Sequence, residues 1–224
     1  MRVPTNGIEL SVQEAGSAGG RPLVLLHALG ESAADWDGVV PALMPGRRAL
    51  AVDLRGHGAS DRPGNYSLEL MRDDVLGLLD ALRLASVDLV GHSLGGLVAL
   101  LVAEAAPSRV DRLVLEDVPA PLPRVGPALE RPPGDLDFDW DMVLAVRPQI
   151  DTPDPAWLEG LSRITADTLV VYGGTASPMP RDRVEELVRR VPRARMVTVE
   201  AGHLVHATRP EEFVGHLLDF LGAA

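Results

Sequence analysis

Short apolar runs alternate along the chain with longer segments in which apolar residues recur at helical spacing. The short runs are rich in β-branched residues, and several are apolar throughout, as strands buried on both faces are. They are Ile8–Val12, Leu23–His27, Ala49–Leu54, Val87–Val90, Arg112–Leu115, Thr168–Tyr172 and Arg195–Val199. Strands that alternate with helices predict an α/β fold class, with a mostly parallel twisted sheet and helices on both of its faces.

The clearest helical pattern follows Ser67, a residue type whose hydroxyl caps helix N-termini. Apolar residues then recur on one face, at Leu68, Met71, Val75, Leu78, Leu79 and Leu82. Further helices are predicted at Ala33–Leu43, Leu94–Ala106, Arg181–Val191 and Pro210–Leu221. Each lies between two predicted strands or after the last one, where the crossover connections of a parallel sheet belong.

One stretch, residues 118–166, interrupts this alternation. It is rich in Pro and Asp, it has no clear strand, and it contains nine of the 19 prolines of the chain. A chain of 224 residues has the length of one domain with a modest insertion. We therefore expect a single domain over residues 1–224, in which residues 118–166 form a short lid over the sheet.

The strongest chemical signal is the segment Gly91-His92-Ser93-Leu94-Gly95-Gly96, which joins a predicted strand to a predicted helix. A strand that turns abruptly into a helix forces the central residue into a strained backbone conformation, and flanking glycines prevent collisions there. The Ser93 hydroxyl then projects above the sheet at a helix N-terminus, where the helix dipole favours developing negative charge. This context indicates a nucleophilic serine rather than an ordinary N-capping one.

Four segments together resemble the α/β-hydrolase fold family, in order and in spacing, over nearly the whole chain. They are His27-Ala28-Leu29-Gly30, Asp53–Ser60, the segment around Ser93, and Gly202-His203. The resemblance implies a serine hydrolase with Ser93 as its nucleophile. It also implies an oxyanion hole formed by the backbone N–H groups of Leu29 and Leu94.

His203 follows the last predicted strand and precedes the last predicted helix, which is where the family keeps its general base. A histidine has the pKa to accept the serine proton and to return it to the leaving group near neutral pH. His206 lies three residues further on, but a metal held by His203 and His206 lacks an evident third ligand. We therefore expect neither a metal nor a cofactor.

The acid of the triad departs from the family pattern. Most members carry it after the strand that corresponds to Thr168–Tyr172, but the loop 173–180 contains no carboxylate. Some relatives place it after the preceding strand, which is followed here by Glu116 and Asp117. We favour Asp117, with Glu116 as the alternative; Asp182 in the next helix, or no acid at all, remain open.

Four aromatic or histidine residues are candidates for the walls of a substrate pocket: His27, Trp36, His92 and Trp140. His27 begins the segment that carries Leu29 of the proposed oxyanion hole, and His92 directly precedes the nucleophile Ser93. The tryptophans offer large apolar surfaces with a polar edge. Packing in the core is the alternative for each of them.

Composition narrows the partner class. The net charge of -11 is spread along the chain, which argues against nucleic acid or an anionic membrane and favours a small-molecule acyl substrate. Without cysteine there is no thiolate chemistry, and because all 21 basic residues are Arg there is no Schiff-base lysine. No apolar run suits a signal peptide or a membrane span, so a cytoplasmic location is expected. The oligomeric state is left open.

The leading functional hypothesis is hydrolysis of a carboxylic ester or a related acyl substrate through an acyl-enzyme on Ser93. One alternative uses the same fold and triad for thioester or lactone cleavage, for perhydrolysis or for a cofactor-free biosynthetic step. Another is a non-catalytic ligand-binding protein with a hydrolase-like fold. All three remain open, because the motifs report the nucleophile and not the shape of the pocket.

Overall fold

Eight strands form one sheet in the computed structural model, which describes residues 1–44 and 46–222. The strands are β1 (Arg2–Thr5), β2 (Ile8–Gly16), β3 (Arg21–Leu26), β4 (Arg47–Val52), β5 (Val87–His92), β6 (Val110–Glu116), β7 (Asp167–Tyr172) and β8 (Ala194–Thr198). They lie in the order β1-β2-β4-β3-β5-β6-β7-β8. β2 pairs antiparallel with both of its neighbours, and all other pairs are parallel. The predicted mostly parallel sheet is therefore confirmed.

The helices lie in the connections between the strands and after the last one. They are α1 (Val40–Leu43), α2 (Leu68–Ala81), α3 (Leu94–Ala105), α4 (Trp140–Asp151), α5 (Pro155–Gly160), α6 (Arg181–Arg190), α7 (Val205–Thr208) and α8 (Pro210–Leu221). The N-terminus of α2 is capped as predicted, because the Ser67 hydroxyl accepts a hydrogen bond from the Leu70 N–H at 3.1 Å. No helix in the described part of the chain is long and apolar enough to cross a membrane.

The prediction of one continuous helix at Ala33–Leu43 is wrong. A 3₁₀ turn at Ala33–Trp36 and the four-residue helix α1 take its place. Gly38 weakens helical structure between them, and Pro41 has no N–H to continue the helical hydrogen bonds. A continuous helix therefore cannot form here.

Strand β1 and helices α4, α5 and α7 were not predicted from the sequence. β1 is an edge strand of four residues that contains Pro4, and proline is tolerated at a sheet edge. Helix α4 lies within residues 118–166 and contains Pro148, which obscured its helical pattern. Its first turn is capped by Asp139, whose carboxylate accepts a hydrogen bond from the Asp141 N–H at 3.0 Å.

Two hydrophobic clusters cover the two faces of the sheet. Successive residues of β3 show the division, because Leu23 and Leu25 lie in one cluster while Val24 and Leu26 lie in the other. Helices α2, α3, α4 and α6 contribute to the cluster that contains Val24, whereas α1, α7 and α8 contribute to the opposite one. This two-sided core holds the carboxyl ends of the parallel strands in fixed relation to one another.

Candidate active site

Ser93 lies in the tight turn between β5 and α3. Its backbone has φ 51° and ψ −111°, a left-handed conformation that side chains rarely adopt. The flanking glycines make this turn sterically feasible. A Cβ on Gly95 would lie 2.3 Å from the Leu26 carbonyl oxygen, and a Cβ on Gly91 would lie 2.4 Å from the Gly95 carbonyl oxygen. The pattern of glycines around the serine is therefore a steric requirement of this turn.

Ser93, His203 and Asp117 form a continuous chain of hydrogen bonds, although His203 lies 110 and 86 positions from its two partners in sequence. The Ser93 hydroxyl lies 3.0 Å from His203 Nε2. On the other side of the ring, His203 Nδ1 lies 2.7 Å from Asp117 Oδ2. With the Nδ1 proton donated to the carboxylate, Nε2 is free to accept the serine proton. The arrangement can thus deprotonate Ser93.

Asp117 follows the end of β6, and its side chain is completely buried. Like Ser93, it has a positive φ of 51°. Its carboxylate accepts hydrogen bonds from the Gly173 N–H at 3.0 Å and from the Ser177 hydroxyl at 2.6 Å. The loop after β7, which lacks a carboxylate of its own, thus supplies two donors to the carboxylate that follows β6. Ser177 was not predicted as a site residue, and the only sequence signal for its role is the absence of a carboxylate from the loop 173–180.

The structure brings neither of the other two acids to His203. The Glu116 carboxylate instead accepts hydrogen bonds from His206, at 2.8 Å from the ring Nδ1 and at 2.9 Å from the backbone N–H. Consecutive residues at a strand end point to opposite sides, which explains why Glu116 and Asp117 meet different histidines. Asp182 is exposed on α6.

A second buried network lies behind the triad. His92 Nε2 lies 2.8 Å from the His203 carbonyl oxygen, and His206 stands between the carboxylates of Glu116 and Asp35. Burial alone lowers the pKa of His206, but the carboxylates of Asp35 and Glu116 outweigh burial and raise the pKa to about 10. His206 is therefore positively charged at neutral pH, while His92 supports the backbone of the loop that carries His203.

Within residues 1–44 and 46–222, one group of side chains has the spacing of metal ligands, and it lies in this network. Single ligand atoms of Asp35, His92 and His206 all lie within 4.8 Å of one another. A metal here would have to displace a proton from His206, because the two neighbouring carboxylates raise the pKa of its ring. The pair His203 and His206, considered from the sequence, is not formed, because His206 turns toward Glu116.

The two backbone N–H groups suggested for the oxyanion hole border the same cavity as Ser93. Leu29 and Leu94 both line it, and no acceptor among the described residues bonds either N–H. Two buried histidines hold the Leu29 loop in place. His27 Nε2 accepts the Leu54 N–H at 3.0 Å, and His57 Nε2 accepts the Gly30 N–H at 3.2 Å.

Both of these histidines are neutral acceptors. Burial lowers the pKa of His27 to about 4 and that of His57 to about 3. The placement of His27 in the pocket wall is therefore wrong: its ring is fully buried and supports the loop from beneath.

A cavity of ≈ 140 Å³ opens beside Ser93. Its wall consists of Leu29, Ser93, Leu94, Leu97, Pro119, Ala120, Pro121, Leu122, Arg124, Arg147, Gln149, Ile150, Pro153, Trp157, Met179 and Arg183. Most of these residues come from the segment 118–166. Trp157, to which the sequence analysis assigned no role, forms part of the wall.

Two further residues predicted to line the substrate pocket, Trp36 and His92, do not line it. A third, Trp140, lines a neighbouring depression instead. Trp36 is fully buried on the other face of the sheet, where it packs against His206 with ring centroids 4.5 Å apart. His92 is also fully buried, in the network behind the triad. Trp140 borders a neighbouring depression, which shares Leu29 with the main cavity but does not contain Ser93.

Comparisons with known proteins agree with this fold. Residues 21–159 match the family model of the alpha/beta hydrolase fold. A 2-hydroxymuconate semialdehyde hydrolase from Pseudomonas sp. (strain CF600) is 31% identical over 265 aligned positions, covering 97% of this chain and 92% of the relative. Because the alignment is longer than this chain, the relative carries insertions that are absent here.

Solved structures give the same result. A hydrolase from Pseudomonas aeruginosa PA01 is 29% identical with a TM-score of 0.78, over 99% of this chain and 97% of that one. The enol-lactonase from Burkholderia xenovorans LB400 is 24% identical with a TM-score of 0.84, over 99% of both chains. On the family match and the full-length relative, this chain belongs to the α/β-hydrolase fold family.

Proposed function

We propose that the protein is a serine hydrolase that cleaves a carboxylic ester or a related small-molecule acyl substrate through an acyl-enzyme on Ser93. The observation that carries the proposal is the hydrogen-bonded chain from Ser93 through His203 to the buried Asp117. A general base within hydrogen-bond reach of a serine, itself oriented by a carboxylate, is the geometry of nucleophilic acyl transfer.

In the first half-reaction, Ser93 Oγ attacks the substrate carbonyl carbon while its proton passes to His203 Nε2. The imidazolium that forms is stabilised by the Asp117 carboxylate. The backbone N–H groups of Leu29 and Leu94 hold the negative oxygen of the tetrahedral intermediate. As the carbon–oxygen bond breaks, His203 gives its proton to the departing alcohol, and the acyl group stays on Ser93.

In the second half-reaction, water attacks the acyl-enzyme. His203 Nε2 removes a proton from the water as it attacks, and the tetrahedral intermediate uses the same two N–H groups. Its collapse releases the carboxylic acid, and the proton returns to Ser93 Oγ. In this proposal residues 118–166 act as a lid, because they form most of the cavity wall beside Ser93.

Covalent labelling tests the proposal. The protein is incubated with a fluorophosphonate, and its intact mass is recorded beside those of Ser93→Ala and His203→Ala. We expect a single adduct on the unmodified protein and none on either variant. An unmodified protein that stays unlabelled would contradict an activated serine, and would favour the non-catalytic ligand-binding alternative.

A second candidate keeps the nucleophile and changes the leaving group. The full-length relative is named for a semialdehyde substrate rather than an ester. The same attack on a carbonyl suits lactones and thioesters as well. Substrates that share one acyl group and differ only in the leaving group distinguish these reactions. When acylation limits turnover, the turnover rate depends on the leaving group.

A further inference from the structure

The charge of the cavity wall is opposite to that of the whole protein. The chain has 32 acidic residues and a net charge of -11. The part of the wall that the structure describes nevertheless contains three arginines, Arg124, Arg147 and Arg183, and no Asp or Glu. Such a wall attracts anions, because a concave surface with charge of one sign concentrates the potential.

Two of these arginines share a single carboxylate. Arg124 Nε lies 2.8 Å from Asp151 Oδ1, and Arg147 Nε lies 2.6 Å from Asp151 Oδ2. The three side chains together therefore carry a net charge of one positive unit. Asp151 thus fixes both guanidinium groups at Nε, and Arg147 also donates from Nη2 to the Pro127 carbonyl oxygen at 2.7 Å.

Arg183 is held by neutral groups. Its guanidinium donates to the carbonyl oxygens of Leu122 at 3.1 Å and of Pro123 at 2.9 Å. Within the described residues, no carboxylate lies at ion-pair distance from it, and its Nε–H has no acceptor. A guanidinium fixed in this way presents its remaining donors as a fork that matches a carboxylate.

The rest of the wall is mainly apolar, with Leu97, Ile150, Trp157 and Met179 among its members. It suits a hydrocarbon segment between the reacting carbonyl at Ser93 and a charged end group. An apolar surrounding also strengthens the attraction between a guanidinium and a carboxylate, since less water screens it.

We propose that this cavity selects acyl substrates that carry a second, negatively charged group, a carboxylate, which Arg183 binds while Arg124 and Arg147 add positive potential. The inference rests on the proposed function, because it places the reacting carbonyl at Ser93. It adds a substrate class: half-esters of dicarboxylic acids and related acyl compounds with a distant carboxylate.

Two esters of equal carbon count test the selection. They are the mono-4-nitrophenyl ester of adipic acid and 4-nitrophenyl hexanoate, which differ in having a carboxylate or a methyl group at the far end. We expect kcat/KM to be at least tenfold higher for the adipate ester, and this preference to shrink as salt is added. Equal kcat/KM values for the two esters would overturn the inference.

Variants locate the selecting group. Arg183→Gln is expected to reduce the ratio of the two kcat/KM values about tenfold. The matched control is Arg189→Gln on the same helix, where the guanidinium pairs with Glu186 and lines no part of the cavity. We expect this control to keep the wild-type ratio. A ratio that is unchanged in Arg183→Gln would contradict the role of Arg183.

Binding without turnover separates this inference from the proposed function. Monomethyl adipate and methyl hexanoate are titrated calorimetrically into Ser93→Ala. Tighter binding of the charged ester, together with no cleavage of either ester by the unmodified protein, would refute hydrolysis of esters and support charge selection. Equal binding of both would refute the selection, whatever the rate of cleavage.

Discussion

Adjacent residues at the end of β6 have different roles, and the backbone conformation decides between them. Asp117, with its positive φ, turns toward His203, whereas Glu116 keeps the strand direction and reaches His206. Either carboxylate satisfies the sequence pattern of an acid that follows this strand. The contacts of each carboxylate therefore give its role. Asp117 orients the base His203, and Glu116 pairs with the buried, charged His206.

Replacing the two acids one at a time tests this division. Asp117→Asn should lower kcat by about 10⁴, because the imidazole loses the acceptor that orients it. Glu116→Gln should change kcat less than tenfold but lower the melting temperature, since His206 loses one of its two carboxylate partners. Steady-state kinetics and thermal denaturation of both variants give the answer. A hundredfold loss confined to Glu116→Gln would reverse our assignment.

At the scale of elements, the site depends on how closely α3 approaches β3. The Gly95 N–H donates to the His27 carbonyl oxygen at 3.1 Å, so the first turn of α3 lies directly against the end of the neighbouring strand. This contact places Leu94 and Leu29 on the same side of Ser93. The spacing between one helix and one strand thus sets the geometry of the proposed oxyanion hole.

Gly95→Ala should therefore disturb both stability and chemistry. The new methyl group would lie 2.3 Å from the Leu26 carbonyl oxygen, so α3 must shift away from β3. We expect a loss of about 1–3 kcal/mol in the free energy of unfolding, and slower fluorophosphonate labelling of Ser93.

Gly215→Ala is the matched control for this substitution. Gly215 is exposed in the interior of α8, and a Cβ there meets nothing within 4 Å. This change should stabilise the protein by up to about 1 kcal/mol, through helix propensity alone, and leave labelling unchanged. Denaturant unfolding measures both variants. Equal stability of Gly95→Ala and the unmodified protein would show that the close approach is not needed.

For the molecule as a whole, buried ionisable groups shape the dependence of stability on pH. Burial raises the pKa of Glu104 to about 7, and Arg163 at 3.7 Å only partly opposes this. The stability associated with neutral Glu104 is present below its ordinary pKa and is lost as pH rises toward 7. The contribution of His206, whose pKa is raised to about 10, is complete below its ordinary pKa and is lost as pH rises through 10.

We therefore expect the melting temperature to fall as pH rises from about 5 to 10. On the acidic side, the neighbouring imidazoles of His206 and His92 outweigh burial and hold the pKa of Asp35 well below its usual range, so its contribution is lost only in strong acid. Glu104→Gln should remove the part of the decline below neutral pH, worth roughly 2–3 kcal/mol. Melting curves of both proteins across this range test the expectation, and parallel pH profiles would contradict it.

Local sequence patterns were sufficient for the fold class and for seven of the eight strands. Together with the family resemblance, they named Ser93 and His203 as candidates and favoured Asp117 as the acid. Apolar periodicity reports burial along one element, and the glycines around Ser93 report a steric need within one turn. The alternatives for the acid could be narrowed in the same way, because the loop 173–180 contains no carboxylate.

Only the tertiary structure decided which side chains face the cavity and which partners the charged groups find. His27, Trp36 and His92 are buried, while Arg183 lines the cavity. These outcomes depend on residues far apart in sequence, such as Asp117 and His203, which are 86 positions apart. A local pattern says that a side chain is apolar or charged. What it packs against is determined by the neighbouring strands and helices.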